Sequence, residues 1–285
     1  MVRSRQAGFF YCTVRVNVES RIVKHSLIHE SESGTAFLVV EKAAGKVVMF
    51  LVTARHVVEG AQAGSLFFLR GKLGEHGEAT YEFHRSENFG KLWFFHENAD
   101  IDVAVAPILD GSPILDELTE KLVGVKGFGI RRSESLLPYA AGQLTDVPEV
   151  SYFEDVVFLG YPTGIYDHVH GFPILRRALT ASPMMVDYEG RPEFLVDGAV
   201  WEGSSGSPVV ILDQQLYIKG GKFKGDPNYD HIEHRERFVF LGMLTDRLIL
   251  RNASKHVNIN LGSVVKASAV FETIDRWIQN PEPTA

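Results

Sequence analysis

Residues 203–208 read Gly-Ser-Ser-Gly-Ser-Pro, and this short segment decides how the rest of the chain is interpreted. Gly203 and Gly206 lack a β-carbon, so they permit a tight turn and let the backbone approach a substrate carbonyl closely. Such a turn presents the hydroxyl of Ser205 as a candidate nucleophile and the N–H groups of Gly203 and Ser205 as candidate oxyanion-hole donors. Composition alone also permits a flexible surface turn, so the interpretation depends on partners elsewhere in the chain.

Two upstream segments supply the groups that a serine nucleophile needs. Residues 53–57 read Thr-Ala-Arg-His-Val, and residues 102–105 read Asp-Val-Ala-Val. An imidazole must remove the hydroxyl proton, and a carboxylate must fix the tautomer of that imidazole. We therefore predict that His56 acts as general base and then as general acid, and that Asp102 orients it. Asp100 is interpreted as a solvated turn acid, because Asp102 is the residue that opens the apolar strand.

The chain order His, Asp, Ser excludes two other solutions of the same chemistry. Subtilisin-like enzymes place the acid first, and α/β-hydrolases place the serine first. The nucleophile elbow of α/β-hydrolases also requires the pattern Gly-x-Ser-x-Gly, whose last position is occupied here by Ser207. The motif therefore does not match that fold.

These three motifs resemble those of chymotrypsin-fold (trypsin-like) serine peptidases, in particular the bacterial trypsin-like and HtrA/Deg-type peptidase domains. Weaker matches at residues 34–37, 158–162 and 241–245 extend the resemblance over most of the chain. One departure is Ser204, which stands where the family usually has Asn or Asp. The resemblance implies an all-β fold of two six-stranded antiparallel β-barrels with a C-terminal α-helix. We expect no PDZ domain, since the resemblance leaves no room for one.

Short β-rich runs separated by turn residues dominate the sequence, a pattern typical of barrels or sandwiches. We divide the chain at the Ser-, Pro- and Gly-containing stretch near its middle. The first barrel is expected to carry the histidine and the aspartate, and the second barrel the serine. The predicted parts are an N-terminal barrel (1–130), an inter-barrel connection (131–150) and a C-terminal barrel with the final helix (151–285).

Four local features give specific structural expectations. Residues 36–40 and 47–52 are apolar runs that predict a hairpin. The apolar stretch 8–13 is too short for a secretory signal and is interpreted as part of the first strand. Residues 214–237 form a long polar excursion. An apolar face predicts a C-terminal helix with Ser268 as N-cap; its residues are Val270, Phe271, Ile274, Trp277 and Ile278.

The resemblance also places a substrate pocket for the residue before the cleaved bond. Five residues are expected there: Ala199, Val200, Leu244, Thr245 and Arg247. Ala199 and Val200 would form its base and wall, and Thr245 corresponds to a family residue that hydrogen-bonds the buried aspartate. No acid is placed where a pocket for Lys or Arg needs one, so a small-to-medium apolar side chain is the expected preference. Arg247 at the mouth is the alternative, since it would favour an acidic residue.

Composition limits the classes of partner and location. The net charge of −7, with acids and bases interspersed, argues against a nucleic-acid partner. No stretch approaches the ~20 apolar residues of a membrane span, so no membrane partner is expected. The single cysteine, Cys12, cannot form an internal disulfide, which favours a reducing compartment and therefore the cytoplasm. The serine mechanism implies no metal and no organic cofactor.

The sequence predicts a serine endopeptidase that cleaves a protein or peptide substrate through an acyl-enzyme intermediate. Two alternatives stay open: a catalytically latent or inactive binding or regulatory module on the same fold, and an esterase-type acyl hydrolase. The sequence contains no segment like Ile-Val-Gly-Gly whose freed amine could order the pocket. Control is therefore expected from a regulatory partner protein, from oligomerisation or from loops such as 214–237.

Overall fold

A computed structural model describes residues 5–23, 26–28, 32–43, 46–70, 80–108, 129–135, 150–219, 231–252 and 255–281. In the first half of the chain they form helices α1 (Arg5–Tyr11) and α2 (Arg55–Val58) and nine strands: β1 (Thr13–Val23), β2 (Ser26–Ile28), β3 (Glu32–Ala43), β4 (Lys46–Thr53), β5 (Ala61–Arg70), β6 (Thr80–Ser86), β7 (Phe94–Phe95), β8 (Ala104–Ile108) and β9 (Ile130–Arg131). In the second half they form six strands and a helix: β10 (Asp155–Gly160), β11 (Ile174–Thr180), β12 (Glu193–Asp197), β13 (Pro208–Lys219), β14 (His231–Asn252), β15 (Lys255–Lys266) and α3 (Ala267–Gln279).

The strands form two sheets, one in each half of the chain. The first sheet has the order β6-β5-β1-β3-β4-β8-β7, with β2 added to β1 and β9 added to β3. Among the described residues it is open and forms a half-barrel. The second sheet is a closed barrel with the order β10-β11-β12-β15-β14-β13. The predicted all-β architecture with a C-terminal helix is confirmed.

The two halves share a hydrophobic core. Phe37 of β3 contacts Phe240 of β14 with ring centroids 5.4 Å apart, and both side chains are fully buried. Trp277 of α3 packs edge-on against Phe50 of β4 at 5.4 Å, so the last helix of the chain lies on the first sheet. This packing fixes the two halves against each other and thereby the cleft between them.

Two hairpins bear on the sequence predictions. The pairing of β3 with β4 runs to Ala43 opposite Lys46, which confirms the predicted hairpin. The polar excursion 214–237 extends a second hairpin, in which β13 and β14 pair as far as Lys219 opposite His231. Residues 220–230 lie outside the described residues.

Two local predictions at the ends of the chain are wrong. The start of the stretch 8–13 lies in α1, where the Cys12 N–H donates to the Gly8 carbonyl at 3.0 Å. Phe9 of this helix is buried against Phe238 at 5.8 Å, a tertiary contact that overrides the local strand pattern.

Helix α3 begins at Ala267 and its cap position has no side-chain hydrogen bond, so Ser268 is not the N-cap. The predicted apolar face of α3 is confirmed, since Val270, Phe271, Ile274 and Trp277 are buried and Ile278 packs partly buried against the same core.

The predicted domain boundaries stay predictions. Within the proposed connection 131–150, β9 pairs with β3 and Ser135 forms an isolated bridge to Phe240. Residues 136–149 lie outside the described residues. No helix in the described part of the chain is long and apolar enough to cross a membrane.

Candidate active site

A cleft of about 550 Å³ lies between the two halves of the molecule. Its walls come from both halves, with His56 and Val57 of α2 on one side and Gly203 and Ser205 on the other. The structure therefore brings the predicted base and the predicted nucleophile, which are far apart in sequence, into one cavity.

Asp102 holds His56 through two hydrogen bonds. One carboxylate oxygen, Oδ2, lies 2.6 Å from His56 Nδ1, and the other, Oδ1, accepts the backbone N–H of His56 at 2.9 Å. A carboxylate beside Nδ1 places the ring proton there and leaves Nε2 free to accept a proton. The competing acid, Asp100, is exposed, and its own N–H donates to the side chain of Asn98.

The surroundings of His56 set its basicity. Burial of the ring by itself lowers the pKa of His56, but the hydrogen bond and the charge of Asp102 outweigh it, with a further contribution from Asp246. Arg21 opposes this effect slightly, and the net result is a pKa above the ordinary value. An imidazolium at this position would thus be stabilised, as a general base requires.

The Ser205 hydroxyl is hydrogen-bonded to a backbone carbonyl and not to the candidate base. Its hydroxyl donates to the backbone carbonyl of Thr245 at 2.8 Å, and among the described residues no hydrogen bond joins it to His56. Rotation about one side-chain bond is needed to turn the hydroxyl from Thr245 toward the imidazole. In this geometry the candidate nucleophile is not bonded to the candidate base.

Thr35 of β3 holds the nucleophile turn from the opposite half of the molecule. Its N–H donates to the Ser205 carbonyl at 2.9 Å, and its hydroxyl donates to the Gly203 carbonyl at 2.9 Å. The same hydroxyl accepts the Tyr161 N–H at 3.1 Å. Sequence reasoning assigned no role to this fully buried threonine, although residues 34–37 were noted as a family-like strand.

The oxyanion-hole roles of the Gly203 and Ser205 N–H groups stay predictions. The N–H groups of Gly203 and Ser205 donate to no acceptor within the described ranges. The Glu202 carbonyl accepts the Thr163 N–H, and in a trans peptide the carbonyl and the N–H point in opposite directions. This bond therefore turns the Gly203 N–H away from Thr163. Two such donors beside a nucleophile can bind the oxyanion of a tetrahedral intermediate.

A family model described as a trypsin-like peptidase domain matches residues 34–217, a span that includes His56, Asp102 and Ser205. The chain belongs to this family. The chymotrypsin-like fold expected from the sequence is confirmed. No curated protein sequence matches the chain.

Solved structures with a similar fold differ widely from this trypsin-like peptidase domain in sequence. An HtrA-type protease, AlgW with a tripeptide, is 14% identical with a TM-score of 0.48, and the match covers 98% of this chain and 65% of AlgW. A mutant of human heparin-binding protein (CAP37) is 12% identical with a TM-score of 0.49, covering 100% and 97%. A scabies mite inactivated protease paralogue is 14% identical with a TM-score of 0.45, covering 97% of each chain.

The pocket residues predicted for this trypsin-like domain are only partly brought together. Val200 lines the cleft, whereas Leu244 is fully buried in the core of the closed barrel. The Thr245 hydroxyl donates to the Ser263 carbonyl at 3.4 Å, so the expected hydrogen bond to Asp102 is not formed. The backbone carbonyl of Thr245, within β14, accepts the Ser205 hydroxyl instead.

The structure gives less detail on the two remaining predicted pocket residues. Ala199 is half-buried beside Val200. The backbone of Arg247 pairs with Gly262 of β15, and its side chain lies outside the described part of the chain.

Sequence reasoning missed several residues that line the cleft. Trp201 is 48% exposed and follows Val200 along the wall. Three acidic residues, Glu32, Glu202 and Asp246, also line the cleft. Trp201 and Glu202 directly precede the nucleophile motif, and this adjacency is the signal that could have identified them.

The described residues contain no group of three or more His, Cys, Asp or Glu side chains arranged to hold a metal ion.

Substitution of Gly206 tests whether the turn that carries Ser205 needs its observed backbone conformation. Its φ is +89°, and a β-carbon there would lie 1.7 Å from the Thr35 carbonyl oxygen. We expect Gly206→Ala to displace the turn, to lower the free energy of unfolding by more than about 2 kcal/mol, and to remove hydrolysis. Chemical denaturation and activity measurements check both effects.

Gly190→Ala is the matched control for this substitution. Gly190 has a similar φ of +75°, but a β-carbon there meets nothing within 4 Å. The Gly190→Ala variant therefore measures only the cost of placing alanine at a positive φ, and we expect it to lower the free energy of unfolding by about 1 kcal/mol with activity retained. Equal losses in the two variants would contradict the role assigned to the contact between Gly206 and Thr35.

Proposed function

We propose that the chain is a serine endopeptidase that cleaves peptide bonds of protein or peptide substrates through an acyl-enzyme intermediate. The observation that carries the proposal is the His56 Nδ1 to Asp102 Oδ2 contact of 2.6 Å in the same cleft as Ser205. A base held in one tautomer next to a glycine-flanked serine is what acyl transfer requires.

The proposed reaction begins with rotation of the Ser205 hydroxyl from the Thr245 carbonyl toward His56 Nε2. The serine oxygen attacks the substrate carbonyl carbon as Nε2 takes its proton, and the carbonyl oxygen becomes an oxyanion bound by the N–H groups of Gly203 and Ser205. His56 then returns the proton to the leaving amine, which breaks the C–N bond. A water molecule repeats the sequence on the acyl-enzyme and releases the acid product.

A latent form of the same peptidase is the second candidate. It is favoured by the bond from the Ser205 hydroxyl to the Thr245 carbonyl, which leaves the nucleophile unactivated until a substrate or a regulatory partner protein displaces it. This resting bond competes with activation but does not block the cleft.

The proposed preference before the cleaved bond is a small-to-medium apolar side chain. Val200 supplies apolar surface in the cleft. A β-carbon on Gly262 would meet the side chains of Val200 and Leu244 at 2.7 and 3.0 Å, so both apolar side chains pack closely against β15. Cleavage profiling on a peptide library checks this preference, and strong selection for Lys or Arg would contradict it.

Labelling with a fluorophosphonate probe tests the proposed activity. Folded protein is expected to form one phosphonyl adduct, located on Ser205 by peptide mapping, and protein unfolded in denaturant is expected to form none. Hydrolysis of peptide substrates should accompany labelling, whereas turnover of simple esters alone would favour the esterase-type alternative. Absence of an adduct on folded protein, in the presence of peptide substrate as well as without it, would contradict an assembled peptidase site.

A further inference from the structure

Arg21 connects the first strand to the helix that carries the candidate base. It lies near the end of β1, where the pairing with β5 shifts register between Val18 and Ser20 and again between Ser20 and Arg21. Its guanidinium donates to the backbone carbonyl of His56 at 2.8 Å and to that of Val57 at 2.8 Å. A third bond, also 2.8 Å long, joins it to the carboxylate of Glu32.

These bonds compensate for the shortness of α2. The helix has only four residues, Arg55–Val58, and a single helical turn is not stable by its own hydrogen bonds. The last carbonyls of a helix have no partner within the helix, and Arg21 supplies donors for two of them. The orientation of His56 therefore depends on contacts with other elements.

The peptide groups on the two sides of His56 are held from opposite directions. Asp102 accepts the N–H of His56 at 2.9 Å, and Arg21 donates to its carbonyl at 2.8 Å. The position of the imidazole in the cleft is thus fixed by one anion and one cation from different strands or loops. Val57 and Val58 of the same helix are buried in the core, so loss of the Arg21 contact is expected to shift His56 slightly rather than to detach it from Asp102.

The charges that face His56 differ in sign. Asp102 is bonded to the ring, and Asp246 faces it from β14. Arg21 is the cation among the groups that act on the ring, and Glu32 pairs with it at the cleft edge. At the two ends of the helix, Arg55 and the C-cap residue Glu59 pair with each other at 2.7 Å.

We propose that Arg21 is a positioning residue for His56, which fixes α2 through the two carbonyls and offsets the negative charge around the imidazole. This inference rests on the proposed peptidase function for its kinetic consequence, but not for the contact itself. A small displacement of a catalytic group costs on the order of 10–10² in rate.

Arg21→Met tests the role, because methionine keeps an aliphatic stem but removes the donors and the charge. We expect kcat for peptide hydrolysis to fall about 10–100-fold with little change in KM. The acid limb of the pH profile should move to higher pH, because the pKa of His56 rises when the opposing cation is removed. Arg21→Lys should keep the acid limb at its wild-type position and still lower kcat, because an ammonium does not reproduce the planar fork of donors.

Arg177→Met is the matched control. Arg177 forms a surface ion pair with Asp155 at 2.9 Å and its side chain is 72% exposed, so its loss should change neither kcat nor the pH profile. An unchanged kcat and pH profile in Arg21→Met would overturn the proposal. If Arg21→Met does not fold, Arg21→Lys decides, and an unchanged kcat in that variant overturns it.

An activity-independent measurement separates this inference from the proposed function. The ring proton signal of His56, assigned by its absence in His56→Gln, is titrated by NMR in wild type and in the Arg21 variants. A higher His56 pKa or a displaced ring signal in Arg21→Met supports the contact even if no peptide is cleaved, whereas a ring signal and a titration that both match wild type overturn it. Absence of wild-type hydrolysis would count against the peptidase alone.

Discussion

Ser205→Ala is expected to abolish the fluorophosphonate adduct and to lower peptide hydrolysis by at least about 10⁴-fold. The Ser205 oxygen is the atom that becomes bonded to the acyl group, and the alanine side chain has no nucleophilic atom. The remaining oxyanion donors and the cleft still bind substrate, so the loss should appear in kcat rather than in KM. Adduct mass and steady-state kinetics measure the two effects.

The neighbouring serines provide controls within the same turn. Ser204 is buried, and the Ser207 hydroxyl is buried with no hydrogen-bond partner in the described part of the chain. Ser204→Ala and Ser207→Ala should therefore label like wild type and keep activity within about threefold. An adduct that persists in Ser205→Ala, or that disappears equally in Ser204→Ala, would contradict the assignment of the nucleophile.

Much of the fold is encoded in local patterns. The apolar runs of β3 and β4 and the apolar face of α3 are strong periodic signals, and the structure has them where the sequence predicts them. The start of the chain shows the limit of this approach. Residues 8–11 are predicted as strand but lie in α1, where Phe9 is buried against Phe238.

The residues of the candidate site also differ in how well the sequence predicts them. Short motifs contain His56, Asp102 and Ser205, so the sequence alone identifies them as candidate catalytic residues. Arg21 and Thr35 act through contacts with backbone carbonyls on other elements, and a carbonyl carries no residue identity that a sequence pattern could reveal. The pocket was predicted least well because its shape depends on how β14 and β15 pack, as the burial of Leu244 shows.

Asp102→Asn is expected to lower kcat by about 10⁴-fold while the protein stays folded. The asparagine side chain can still accept the His56 N–H with its oxygen, so the geometry is largely kept. Its amide group then faces His56 Nδ1 and donates to it, which moves the ring proton to Nε2. An imidazole in that tautomer cannot take the proton from Ser205.

The pH dependence distinguishes this electrostatic role from a packing role. In wild type the pKa of His56 is raised, with Asp102 outweighing the effect of burial, so hydrolysis should fall as the pH drops through a value above the ordinary ~6.5. Without the carboxylate the pKa of His56 falls, and the acid limb of the residual activity should move to lower pH. Asp100→Asn, which changes an exposed acid two residues away, should leave rate and profile unchanged. A residual activity in Asp102→Asn with the wild-type pH profile would show that Asp102 does not act on the imidazole.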